Sequence, residues 1–279
     1  MTGGNALRCP ICPRHCRLRP GESGFCRARA NIAAEIRLWD YGFLTALALD
    51  PVEKKPLRHF QPGRQVLSLG GYGCNLRCPH CQNHAIALAG RGEAPGRFYR
   101  PGALADLAAE LVPRGNIGLA FTYNEPLVQY EFVRETATLI AERGLRNVLV
   151  TNGYAAEEAW LGLLPLIDAM NIDVKTFAPE RYAELGGNLD VVRRNLELAA
   201  AVCHVEATLL LIPGWNDSPA ETEALARWLA GVDRHIPLHI TRFFPRHQRS
   251  DTPPTSPEVI FARTETARRY LTRVYPGNV

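Results

Sequence analysis

Lysine is almost missing from this chain: Lys54, Lys55 and Lys175 are its three lysines, and arginine supplies the other basic side chains. Arginine bias more often reflects genome composition than function, so positions that kept lysine carry more information, Lys175 above all. Long apolar runs are missing too. No stretch approaches the roughly 20 apolar residues of a membrane-spanning helix, and the opening "MTGGNALRCP" has no signal-peptide core. A cytoplasmic protein with no membrane association is expected. Net charge is small, formally +4 over 279 residues, and no basic run is interleaved with aromatics. Nothing therefore predicts a nucleic-acid groove.

What is present is clustered cysteine. Seven of the eight cysteines fall in two groups, one near the start and one in "GYGCNLRCPHCQN", residues 71–83. In a reducing compartment structural disulfides are uncommon, so such clusters point to metal or redox chemistry. Cys203 stands alone in an apolar context and reads as a small buried hydrophobe.

Between and after these groups the chain alternates. Apolar runs "QVLSLGGYG", "NIGLAFTYNEP", "RNVLVTNG", "MNIDVKTF", "HVEATLLLIPG" and "IPLHITRFFP" read as strands, each followed by a helical pattern. Six such strand–helix units predict an α/β fold with a parallel sheet, curled into a partial (βα)6, TIM-like barrel. Residues 1–64 are expected to form a small cysteine-rich head with a connecting segment, and residues 65–279 the barrel. The working surface of such a sheet lies at the carboxyl ends of its strands. Those ends read "GYGC", "TYNEP", "TNG", "DVK", "IPGWND" and "FFPRH". Any one of them is also ordinary loop composition, but six in register around one rim are not.

Cys74, Cys78 and Cys81 form a set one thiolate short of a closed four-cysteine site. Thiolates suit zinc or an iron–sulfur centre, and an open position distinguishes catalytic from structural metal sites. Cys9, Cys12, Cys16 and Cys26 form a closed set of four, fitted either to structural zinc or to an auxiliary iron–sulfur cluster.

"CNLRCPHC" has the Cys-x3-Cys-x2-Cys spacing of the radical S-adenosylmethionine (SAM) superfamily, and the chain resembles that superfamily over nearly its whole length. Within it, "YGFLTALALDPVEKKPLRHFQPG" followed by "GCNLRCPHCQN" is similar to pyruvate formate-lyase activating enzymes and, in particular, to the radical SAM enzyme of the AmmeMemoRadiSam system. The resemblance implies that Cys74, Cys78 and Cys81 hold a 4Fe–4S cluster whose remaining iron is chelated by SAM. It further implies SAM contacts from the "TYNEP" turn (Thr122, Tyr123, Asn124, Glu125), from Thr151 and Asn152, from Asp173 and Lys175, and from His247. His80 stands where the family has an aromatic ring near the adenine. Tyr123 and Asn124 replace the family's two glycines. Strand alternation places Asp173 and Lys175 on one face, and an ion pair between them is the plain alternative for Lys175.

The implied activity is reductive cleavage of SAM to a 5'-deoxyadenosyl radical, with Lys175, Asp173 and His247 as the candidate catalytic residues and with flavodoxin or ferredoxin as electron donor. A small-molecule substrate is expected, beside Memo-like and AMMECR1-like proteins. A glycyl-radical activase acting on a protein is the alternative. A non-enzymatic protein with zinc in both cysteine groups is the rival of another class.

Overall fold

The computed structural model describes residues 5–279, so the first four positions of the expected head lie outside it. One eight-stranded sheet organises the chain. Its strands are β1 (Ala46–Pro51), β2 (Gln65–Gly70), β3 (Asn116–Phe121), β4 (Arg146–Thr151), β5 (Ala169–Asp173), β6 (His204–Leu211), β7 (Leu238–Arg242) and β8 (Val274–Gly277). They lie side by side in sequence order. β1 pairs antiparallel with β2, and every later neighbour is parallel. The edge strands β1 and β8 do not pair with each other, so the sheet stays open.

The six expected strands are β2 to β7, each followed by a helical crossover. The crossovers include Pro101–Glu110, Tyr130–Glu142, Leu189–Ala200 and Pro219–Asp233. Their starts follow local chemistry: Asn188 and Ser218 accept hydrogen bonds from first-turn amides, and proline occupies the first helical turn of Pro101–Glu110 and Pro219–Asp233. Apolar helix faces bury Phe132, Trp160 and Leu196 against the sheet. Each such side chain contributes about 1.5–3 kcal/mol relative to exposure.

Two strands were not expected. β1 comes from the connecting segment, so pairing crosses the anticipated boundary at residue 64, and β8 comes from the final "VYPG". After β1 the chain packs against the inner side of the sheet, where Val52 and Leu57 join Val66, Ala120 and Val148 in one buried cluster. There Glu206, fully buried on β6, accepts the amides of Arg58 and His59 at 3.0 and 2.7 Å and meets His204 and His239 at 2.9 and 2.6 Å. Burial alone would raise its carboxyl, but these hydrogen bonds pull it down to about 2.

The cysteine-rich region adds two small hairpins, Leu7–Arg8 with Arg17–Leu18 and Arg29–Ile32 with Glu35–Leu38. Among the described residues no helix is long and apolar enough to cross a membrane.

Candidate active site

The cysteine loop leaves β2 through Gly71 and Gly73. Gly73 has φ +89°, and a Cβ there would stand 2.4 Å from the Cys26 carbonyl oxygen, so glycine is required on both counts. Asn124 clamps the turn: its Oδ1 accepts from Gly71 N at 3.0 Å and its Nδ2 donates to Gly73 O at 2.9 Å. Further along, Arg77 donates to Cys74 O at 2.8 Å, and Asn83 Nδ2 donates to Tyr123 O at 2.7 Å. All three thiols on this loop are free and half-buried.

Burial pushes the Cys74 and Cys81 thiols up, and it raises Cys78 to about 11 even though nearby Lys175 opposes it. Such thiols stay protonated until a cationic centre displaces the proton. The donor set therefore fits a soft metal centre. Among the described residues no three His, Cys, Asp or Glu side chains stand close enough together to hold a single ion.

Beside the loop, Glu125 is 3% exposed. One of its oxygens accepts from Thr151 Oγ1 at 2.7 Å and Leu127 N at 3.1 Å, and the other from Asn152 N at 2.8 Å. Burial raises this carboxyl to about 7 against the pull of those donors. Three donors leave a carboxylate one acceptor direction free. Asn152 continues the chain of contacts, donating to Asn75 Oδ1 at 2.9 Å and approaching Cys74 Sγ at 3.8 Å. The ends of β3 and β4 are thereby tied to the cysteine loop.

From β5, Lys175 Nζ pairs with Asp173 Oδ2 at 2.8 Å. Burial disfavours the ammonium, but the Asp173 carboxylate outweighs it and holds Lys175 above the usual lysine range. Its backbone is fixed from two sides, by Tyr182 Oη accepting from Lys175 N at 3.1 Å and by Asn216 Nδ2 donating to Lys175 O at 2.9 Å.

Trp215 after β6 and His247 after β7 bring rings against two histidines, His80 of the cysteine loop and His84. His80 is buried, packs 5.4 Å from the Trp215 ring, and has an Nδ1 with no hydrogen-bond partner. Burial first, then Lys175 and Arg249, bring its imidazole down to about 3, so it is neutral. His247 stacks on His84 with centroids 4.6 Å apart, and Gln248 N donates to Pro79 O at 2.9 Å. The loop after β7 is thus fastened to the cysteine loop.

Tyr123 and Asn124 of the turn before Glu125 use their side chains elsewhere. Tyr123 has φ +70° and its hydroxyl donates to Asp50 Oδ2 at 2.7 Å, near Lys55, so its ring belongs to the connecting segment. Asn124 spends its amide on the backbone of the cysteine loop. Thr122 is buried, with its amide paired to Leu69 O at 2.8 Å. Asn75, Asn83, His84 and Trp215 were not anticipated. Asn75, Asn83 and His84 share the cysteine run, and that adjacency was the available signal.

Cys9, Cys12, Cys16 and Cys26 line one cavity under the head, all four as free thiols. Burial raises Cys12 to about 12 and raises Cys26 as well.

Residues 69–229 match the Radical SAM superfamily. An uncharacterised protein of Methanocaldococcus jannaschii is 40% identical over 279 residues, spanning 99% of this chain and 82% of that protein. The benzylsuccinate synthase activating enzyme of Thauera aromatica is 27% identical over 189 residues, 66% of this chain and 56% of that enzyme. A domain of pyruvate-formate lyase-activating enzyme from Bacteroides vulgatus shares the fold, with a TM-score of 0.50 and 21% identity over 58% of this chain and 99% of that domain. Members of this family are enzymes that use a 4Fe–4S cluster and SAM. With the family match covering more than half of the chain and the three-cysteine loop inside it, the chain belongs to the radical SAM superfamily.

Proposed function

We propose that Cys74, Cys78 and Cys81 hold the 4Fe–4S cluster and that SAM binds at the strand ends around it. The observation that carries this reading is the link from buried Glu125 to the loop bearing three thiols: Asn152 N donates to its carboxyl at 2.8 Å, and Asn152 Nδ2 donates to Asn75 Oδ1 at 2.9 Å and lies 3.8 Å from Cys74 Sγ. When bound, the cluster supplies the electron that splits SAM into methionine and a 5'-deoxyadenosyl radical for hydrogen abstraction. The chain's own residues bind, orient and shield. Lys175 offers a compact cation to the methionine carboxylate, with Asp173 holding it in place. Glu125 keeps one acceptor direction for the methionine ammonium. Asn152 and Thr151 fix that carboxylate, and the flat rings of His80 and His247 flank the loop for the adenosyl portion.

The substrate is proposed to be a small molecule in an AmmeMemoRadiSam system in the cytoplasm, beside Memo-like and AMMECR1-like proteins, with flavodoxin or ferredoxin as reductant. The similarity of the connecting segment "YGFLTALALDPVEKKPLRHFQPG" supports this. A second reading, activation of a glycyl-radical protein, is supported by the names of relatives such as the Thauera activating enzyme. Electron paramagnetic resonance decides between them. Loaded enzyme with SAM and a candidate protein partner leaves no protein glycyl radical on the first reading and produces one on the second.

A further inference from the structure

Tyr123 holds a left-handed backbone, φ +70°, of the kind that favours glycine. Such a conformation persists where the surroundings fix it, and here they do. Gly70 leaves room beside the turn: a Cβ there would stand 2.9 Å from the Tyr123 Cβ and 3.1 Å from its ring Cδ2. The ring lies against Gly70, and its hydroxyl donates to Asp50 Oδ2 at 2.7 Å. Asp50 stands opposite Val66 in the β1–β2 pairing, and Val66 packs with Ala120 and Val148 on the inner side of the sheet. Residues directly opposite share a face, so Asp50 points inward as well.

That inner side is closed at one end and open at the other. Residues 52–57 cover its start. Toward the strand ends the inner face passes from buried Val148, Asn171 and His239 to half-buried Val150, Asp173 and Thr241. Asp50, Lys55 and Tyr123 form the β1 side of this recess.

Asp50 is shared among more cations than it balances. Its Oδ1 accepts from Lys54 at 3.2 Å, and its Oδ2 from Lys55 at 2.9 Å as well as from Tyr123. Two ammoniums and one carboxylate sum to +1. Lys54 is exposed to water, but Lys55 is 3% exposed. An ammonium has three N–H donors. Among the described residues Lys55 has one acceptor, Asp50, and beyond it the face of the Tyr123 ring 4.8 Å from Nζ. Burial outweighs Asp50 and holds Lys55 below the usual lysine range, whereas Asp173 reverses the effect of burial at Lys175. A buried charge calls for a full set of partners, and Lys55 is short of two acceptors and one negative charge.

We propose that Asp50, Lys55 and Tyr123 form a substrate-binding site and that it takes an oxyanion, the carboxylate or phosphate of a small molecule. The anion accepts from the two uncommitted Lys55 N–H groups and neutralises the cluster. Tyr123, donating to the same oxygen that Lys55 contacts, fixes that carboxylate in place. Asp173, paired with Lys175, borders the same recess, which puts a bound anion beside the groups proposed to hold SAM. The inference rests on the SAM reading only in calling this anion a substrate.

Its test reads anion binding to the full chain without cluster, where SAM cleavage plays no part. Absence of cleavage would leave this site standing, and absence of anion binding would leave the cleavage reading standing. Three lysines give three side-chain NMR signals in lysine-labelled protein, assigned with Lys54→Arg and Lys175→Arg. Inorganic phosphate and succinate are titrated separately. One of them should move the Lys55 signal most and saturably, and the one that does so identifies the anion. Lys55→Met should bind it on the order of tenfold more weakly by calorimetry. A shift largest at Lys54 or Lys175, no saturable shift with either anion, or equal affinity in Lys55→Met overturns the proposal. Should Lys55→Met fail to fold, the titration of the unsubstituted chain decides alone.

Discussion

Glu125 and Thr151 stand at the ends of neighbouring strands, joined by a 2.7 Å hydrogen bond from the threonine hydroxyl to a buried carboxylate. Asn152 N donates to the same carboxylate at 2.8 Å. One side chain thus sets the relative position of two strand ends beside the catalytic loop.

The buried position of Glu125 gives it a pH signature. Folding raises its carboxyl from an ordinary 4.5 to about 7, chiefly by burial. The folded state therefore favours the proton. The associated stability is complete below pH 4.5 and is lost as pH rises through about 7, on the order of 3 kcal/mol in all. Thermal melts of cluster-free protein between pH 4.5 and 8 should fall more steeply with pH for the native chain than for Glu125→Gln. Parallel curves would contradict the assignment.

Asn124 is predicted to act through the cysteine loop. Asn124→Ala removes the acceptor for Gly71 N and the donor for Gly73 O, a loss of about 2 kcal/mol. Urea denaturation should register that loss, and reconstituted iron content should fall with it. Asn124→Asp keeps the acceptor alone and should lie between the two.

Gly73→Ala places a Cβ 2.4 Å from Cys26 O at φ +89°. The backbone must shift, at a cost of about 1–3 kcal/mol. Because the contact joins head and loop, the variant should take up less iron on reconstitution than the native chain, measured by elemental analysis. Unchanged iron content would show that the contact does not govern the loop.

His80 carries a buried Nδ1 with no partner. His80→Phe keeps a planar ring and removes that uncompensated polar atom, so the ligand-free chain should gain about 1 kcal/mol. SAM affinity of the loaded protein, by calorimetry, should fall in the same variant. A gain in both would mean that the ring serves packing alone.

Much of this architecture is legible in the amino-acid sequence. Parallel strands are buried on both faces, so β3 and β4 read as continuous apolar runs, and the three-cysteine spacing is set by what must wrap one centre. Other parts were not legible, for physical reasons. β1 and β8 are edge strands containing Pro51 and Pro276, which mask the strand pattern. The path of residues 52–60 against the inner sheet depends on Glu206 accepting two of their amides, a contact nearly 150 residues distant that no local pattern encodes. Tyr123 and Asn124 sit in a motif whose neighbours face the site, yet the left-handed turn at Tyr123 sends its ring to Asp50 instead. Asp173 and Lys175 share a strand end, as alternation predicts, and form the ion pair that was the plain alternative for Lys175.

The central claim is that this loop and these strand ends cleave SAM reductively. Anaerobically reconstituted protein, given a strong reductant and SAM, should form 5'-deoxyadenosine, and Cys74→Ala, Cys78→Ala and Cys81→Ala should each abolish it. Absence of 5'-deoxyadenosine from protein carrying a full iron load would contradict the account.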